Sequence, residues 1–301
     1  MNAFSGTLEF IVENLPYFAA GLVLLFVGKL FYNLTTRYDI DREVAEAQNP
    51  AVGVSFAGYL VGLAFVLAAT VRGAGGNLGD ALLGIAISGG LGIVLVRASM
   101  LINDKLILHS FLVRKELAEE KNIGTGWVVA GTSVATGLIL AGVMSGQSDG
   151  YGGLVRDILI YWAVGQAILV IDGLVFQAIT RYDVHDLIEN QHNPAVGVSF
   201  GAFLVAQGLI IKTAVSGAGN DLGPELLITA LIAVSGLILL VIGRVIADRV
   251  FLPKARLASE VADKKNIAAA AVAAATLLAI ALMFGAASDP GAAPLIPVET
   301  L

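Results

Sequence analysis

"RYDIDREVAEAQNPAVGVSF" fills residues 37–56, and "RYDVHDLIENQHNPAVGVSF" fills residues 181–200. The offset is 144 residues, and Asn49–Phe56 equals Asn193–Phe200 without a change. At the same offset "GAGGNLGD" (73–80) lies over "GAGNDLGP" (217–224). Two ungapped blocks at one offset mark an internal duplication. A weaker repeat lies inside each half: "REVAEAQNPAVG" resembles "KELAEEKNIGTG" (115–126) and "SEVADKKNIAAA" (259–270). The asparagines of the four copies, Asn49, Asn122, Asn193 and Asn266, are spaced 73, 71 and 73 residues apart.

Composition says where such a chain resides. Of 301 residues 57% are hydrophobic and only 14% charged, with a mean hydropathy of +0.83. Soluble domains carry about a quarter charged residues. Apolar runs long enough to cross a bilayer, roughly 20 residues each, fall near 11–33, 51–71, 81–102, 123–145, 157–179, 195–215, 225–247 and 267–287. The expected fold is an all-α membrane protein of eight transmembrane helices, arranged as two parallel four-helix repeats. Residues 1–146 and 147–290 are the two repeats, and 291–301 are an extracytoplasmic tail.

Each unit of about 72 residues is one span, a polar elbow and a second span. An even number of spans gives every unit the same orientation, so the repeats are parallel and all four elbows share one face. The elbows carry twelve of the eighteen basic residues, and the opposite loops carry Arg72, Arg156 and Lys212. The positive-inside rule makes the elbow face cytoplasmic and puts both termini outside. The N-terminal stretch has Glu9 and Glu13 and no basic region, so the first span reads as retained rather than as a signal peptide.

Net charge of −6 argues against a nucleic-acid partner, and the absence of cysteine removes thiolate chemistry and cysteine-ligated metals. No catalytic constellation stands out, so an enzyme is not expected, nor a cofactor or a metal. His109, His185 and His192 fall on elbows and read as surface histidines. The apolar stripes of the longer elbows, with Lys105, Arg114 and Lys115 beside one of them, suit segments lying along the membrane surface, facing anionic lipid or a peripheral protein.

Two sets of residues are candidates for function. Asn49, Asn122, Asn193 and Asn266 are either corner residues, taking the left-handed conformation at a helix end, or a polar ring around a shared axis that handles an ion. The acidic residues six and three positions before the asparagine recur in units one, two and four. They are either a solvated face or a cation vestibule. Asp172, in "AILVIDGLVF", has Gly28 as its counterpart, and a carboxylate at membrane depth is a functional candidate by default. Arg97, Arg244 and Lys29 are its expected partners. Gln166, Gln177 and Gln207 point to a polar lining in the second half. Gly58-xxx-Gly62, Gly197-xxx-Gly201 and "AAAAVAAAT" (268–276) read as helix-packing marks.

A paired-span unit with "RYD", acidic helix residues and then "NPAVGVSFAGYLVGLAF" resembles the bacterial domain-of-unknown-function family 350, typified by YjfL. The likeness is sharpest at 36–66 and 180–210. It implies two tandem copies and a bacterial inner-membrane location. Because relatives are often encoded beside phage-shock-type proteins and ATP-grasp ligases, it also implies a membrane-stress role. It assigns no catalytic residue.

Two functions therefore stand. One is a small-ion channel or transporter with its units around a pseudo-fourfold or pseudo-twofold axis. The other is a non-transporting scaffold presenting its elbows to a peripheral membrane-stress protein. A homodimer fits either.

Overall fold

The structure is a computed structural model that describes residues 3–146, 148–216, 221–254 and 256–288. The expected tail at 291–301 and half of the second far-face loop lie outside these residues. The described chain is helical throughout: α1 (Ala3–Thr35), α2 (Pro50–Arg72), α3 (Leu78–Ile102), α4 (Val113–Ala118), α5 (Ile123–Val143), α6 (Gly150–Ile179), α7 (Val184–Glu189), α8 (Pro194–Val215), α9 (Leu222–Ile246), α10 (Leu257–Ala262) and α11 (Ile267–Ala287). Eight of these are long and apolar enough to cross a membrane, at the eight places the apolar runs predict.

The eight form two layers. The second helix of each unit, α2, α5, α8 and α11, stands beside the next in a row. The first helices lie against that row: α1 on α2 and α3, α3 on α2 and α5, α6 on α5 and α8, α9 on α8 and α11. The row is open, with α2 at one end and α11 at the other. The units therefore follow one another in line rather than surrounding an axis. Burial follows position: 89% of the most apolar stretch of α5 is buried, against 6% of that of α1.

Glycine decides how close the row can pack. Gly58 of α2 lies against the Ala130 backbone of α5, and Gly137 of α5 against the Gly62 backbone. One junction further, Gly197 of α8 meets Gly124, and Gly201 meets Trp127. A Cβ on Gly126 would sit 2.7 Å from the Ala51 carbonyl oxygen, and one on Gly208 2.6 Å from the Ala135 Cα. Without a side chain in the way, helix backbones touch along their length, which is how helices associate where lipid removes the hydrophobic drive. The glycine pairs thus do what their spacing predicts. At the α11 end alanine replaces glycine, and Ala269, Ala270, Ala273 and Ala274 are buried.

The elbows are built by one device. Asn49 caps α2: its Oδ1 accepts from Ala51 N (3.0 Å) and Val52 N (3.3 Å), and Pro50 occupies the first helical turn. Asn193 caps α8 with the same two contacts at the same distances. Asn122 and Asn266 cap α5 and α11 through Thr125 N and Ala269 N. The left-handed residue is not the asparagine but the one before it: Gln48, Lys121, His192 and Lys265 have φ of 48°, 52°, 49° and 52°. An N-cap must be extended for its side chain to reach the first free N–H groups. That requirement moves the reversal back by one residue. In units one, two and four a π-helical turn stands in the elbow, at Arg42–Glu46, Asn103–Ile107 and Ala247–Phe251.

Candidate functional site

The capping amides of units one to three also face sideways. Asn49 Nδ2 donates to Glu43 Oε2 and to the Leu117 carbonyl of the second elbow, both at 2.9 Å. Asn122 Nδ2 donates to Glu116 Oε2 at 2.8 Å and to the Ile188 carbonyl of the third elbow at 2.6 Å. Asn193 Nδ2 donates to the Val261 and Ala262 carbonyls of the fourth at 2.9 and 3.1 Å. In the opposite direction Lys121 Nζ donates to the Ala47 carbonyl, and Lys265 Nζ to the Gln191 carbonyl. Unit by unit, the elbows are fastened into one strip.

The four amides are thus each committed at their own helix end. The structure does not gather them into a ring. The corner reading of these residues is the one their geometry carries, with the left-handed turn moved as described. The acidic residues divide. Those six positions ahead (Glu43, Glu116, Glu260) accept from the asparagine amide, and Glu46 and Glu119 are exposed. Lys264, then Asn266, hold the Glu260 carboxyl below the usual carboxylate range. Leu187 replaces the acid in unit three, and there Asn193 gives both amide hydrogens to the next elbow. The six-residue recurrence was visible in sequence; its role as a clamp on the cap was not.

Asp172 is not joined to its expected partners. It is buried on α6 beside Gln207 of α8, and its Oδ2 has no hydrogen-bond partner among the described residues. Arg97 reaches Thr35 instead, through Nε to Oγ1 at 2.7 Å and Nη2 to the carbonyl at 2.9 Å. Arg244 donates to Thr180 Oγ1 at 3.0 Å and lies 4.4 Å from the Phe176 ring centroid. Lys29 pairs with Asp41 at 2.9 Å. The two arginines do one job in both halves, tying the end of α1 or α6 to α3 or α9. Arg244 lies one turn nearer the elbow than Arg97, whose counterpart at the 144-residue offset is Val241. The three glutamines do not line one path: Gln166 donates to Thr136, Gln177 to the Ile107 carbonyl and Gln207 to the Ala233 carbonyl. His185 is more than a surface residue, since it contacts the Ile107 carbonyl (3.0 Å) and Ser110 (2.8 Å) of the second elbow.

Two hollows open on the faces. On the elbow side a groove of about 480 Å³ lies over α9 and α11, bordered by Thr180, Arg181, Tyr182, Arg244, Arg249 and Arg256. Burial pushes the Tyr182 hydroxyl up, and the adjacent Arg244 pulls it the other way. Asp248 sits among the arginines but accepts from Leu257 N at 2.6 Å. On the far side a hollow of about 990 Å³ is bordered by Arg72, Asp80, Met144, Tyr151 and Lys212. No group of metal-ligating side chains occurs among the described residues.

Eight apolar helices in two layers, with a repeated polar elbow, define an integral membrane protein built from tandem helical hairpins. The chain belongs to the family described as Domain of Unknown Function (DUF350), which matches twice, at residues 7–144 and 150–288. It is 28% identical over 135 residues to a UPF0719 transmembrane protein of Mycolicibacterium paratuberculosis (strain ATCC BAA-968 / K-10). That stretch is 44% of this chain and 87% of the relative, so the relative is about one copy long. No solved structure matches.

Proposed function

We propose that the protein is a non-enzymatic scaffold of the bacterial inner membrane, holding its elbow strip at the cytoplasmic face for a peripheral membrane-stress protein. The observation that carries this reading is the strip itself. Every capping amide of units one to three is hydrogen-bonded into the next elbow, so four elbows form one fixed surface. A platform needs that rigidity; an ion path does not use it. The excess of basic residues on the elbows supports the sidedness, with both chain ends on the periplasmic side. The arginine-bordered groove offers such a partner contacts for acidic groups.

The test is photo-cross-linking in native membranes, from single positions in 103–121 and 248–265. Recovery of one peripheral protein, lost when Arg249 and Arg256 become Gln, supports the reading. Recovery of lipid and self-contacts alone would sink it.

Ion transport is the second reading, and one observation favours it: the buried Asp172 carboxylate with a free Oδ2 beside Gln207. Flux through purified protein in liposomes, altered by Asp172→Asn, is the outcome it requires.

A further inference from the structure

The row of helices uses one interface three times, and its two halves stand open at the ends. On the side by which each helix receives the previous one, α5 uses Ala130 and Gly137 and α8 uses Gly201 and Gly208; α11 carries Ala274 and Ala281 at the same repeat positions, and all six are buried. The corresponding residues of α2 are Ala57 and Ala64, and both are exposed. On the opposite side α2 uses Ala51 and Gly62 and α5 uses Gly124 and Ala135; α8 carries Ala195 and Ala206 at the same repeat positions, and again all six are buried. Their counterparts on α11 are Ala268 and Ala279, both exposed. Every one of these four end residues is small, as the repeated junction demands. Lipid contact alone makes no such demand.

The elbows are open at the same two places. Leu117, Ile188 and Val261, whose segments receive the preceding asparagine, are 3%, 0% and 1% exposed; the matching Val44 is 43% exposed. Asn266 caps α11 and donates to Glu260, but it has no acceptor in another elbow among the described residues. One end therefore lacks a donor and the other an acceptor. A relative about one copy long has only two units, so the junction between α5 and α8, inside this chain, is one that such a protein can make only between molecules.

We propose that the chain associates head to tail with a second copy of itself, α11 of one copy packing on α2 of the next and continuing the row. The surface is continuous with an interface already present three times. The contact is heterologous, so it builds a closed ring or an open file rather than a two-fold dimer. Asn266 Nδ2 then donates to the Val44 carbonyl of the next copy.

The absence of cysteine permits a direct test. By the repeat, the Gly58–Ala130 contact predicts that residue 275 of one copy meets residue 57 of the next, and the Lys121–Ala47 contact predicts that Gln48 meets Lys264. Ala57→Cys, Ala275→Cys, Gln48→Cys and Lys264→Cys are made singly, then each pair is co-expressed and treated in native membranes with a bifunctional thiol reagent whose spacer matches the length of a lysine side chain. Within one chain, Ala47→Cys with Lys121→Cys is the control for the chemistry. Cross-linked dimers are expected only when 57 meets 275 or 48 meets 264. Ala275→Trp, which overpacks the junction, is expected to lower the 48–264 product roughly tenfold and to leave the control unchanged. Efficient coupling of Ala275→Cys to itself would overturn the proposal in favour of a two-fold contact. A positive control with neither pair coupling would overturn it in favour of edges that face lipid.

Discussion

Replacing Asn122 by Ala removes three bonds from a side chain that is 1% exposed. The loss of the cap on Thr125 N costs about 1 kcal/mol. The Glu116 carboxylate, itself buried, loses a donor at 2.8 Å, worth about 1.5–3 kcal/mol for a charged acceptor. The Ile188 carbonyl loses another, worth about 1 kcal/mol. Asn122→Ala is therefore expected to lower unfolding free energy by roughly 3–5 kcal/mol. Asn266→Ala loses the cap and the Glu260 bond at a more open site, with no neighbouring elbow involved. It is expected to cost clearly less than Asn122→Ala. Asp is as good an N-cap as Asn, yet Asn122→Asp places a carboxylate against Glu116 and removes both donors, so it is expected to be worse than Ala. Reversible denaturation in mixed micelles, followed by the fluorescence of Trp127 and Trp162, measures all three. Equal losses at 122 and 266, or an Asp variant as stable as wild type, would refute the sideways role of the amide.

Gly137→Ala places a methyl against the Gly62 backbone and is expected to destabilise by about 1–3 kcal/mol in the same assay, whereas Gly53, with nothing within 4 Å, tolerates Ala. Glu260 has a folded pKa below its unfolded value, so its contribution is present above about pH 4.3 and is lost as pH falls through the folded pKa. The difference in melting temperature between wild type and Glu260→Gln should accordingly shrink on acidification from pH 6 to pH 3. Asp172→Asn is nearly isosteric, keeps a polar group beside Gln207 and can never carry a charge in the buried site, so it is expected to leave thermal stability at neutral pH at least as high as wild type. Under the scaffold reading it leaves liposome flux at the background of empty vesicles.

Spans, repeat and shared elbow face were all legible because each is a pattern along one chain. Apolar runs of bilayer length and asparagines at fixed spacing need no knowledge of what lies opposite. Close-packing glycines were legible too, since absence of a side chain has few uses inside a helix. Partners across helices were not. Asp172, Arg97 and Arg244 share a similar depth, but depth does not fix the direction in which a helix face points. Thr35 and Thr180 gave no signal, because a hydroxyl near a helix end is ordinary. Repetition also suggested an axis, and four equal units can equally stand in line; only the faces of α2 and α11 distinguish the two.

Polar bonds between units concentrate on one side of the molecule. The elbow strip carries Asn49, Asn122, Asn193, Lys121, Lys265 and His185, while toward the far side Tyr151 reaches the Asp80 carbonyl beside the 990 Å³ hollow and Tyr161 donates to the Glu225 carboxylate. The consequence is mechanical. A strip stitched along one edge resists stretching there and yields at the other, like a hand fan held at its pivot. Lateral pull in the surrounding bilayer would separate the hairpins first in the leaflet away from the elbows, and backbone amides near Gly73 and Met144 would exchange their hydrogens before those at Asn122.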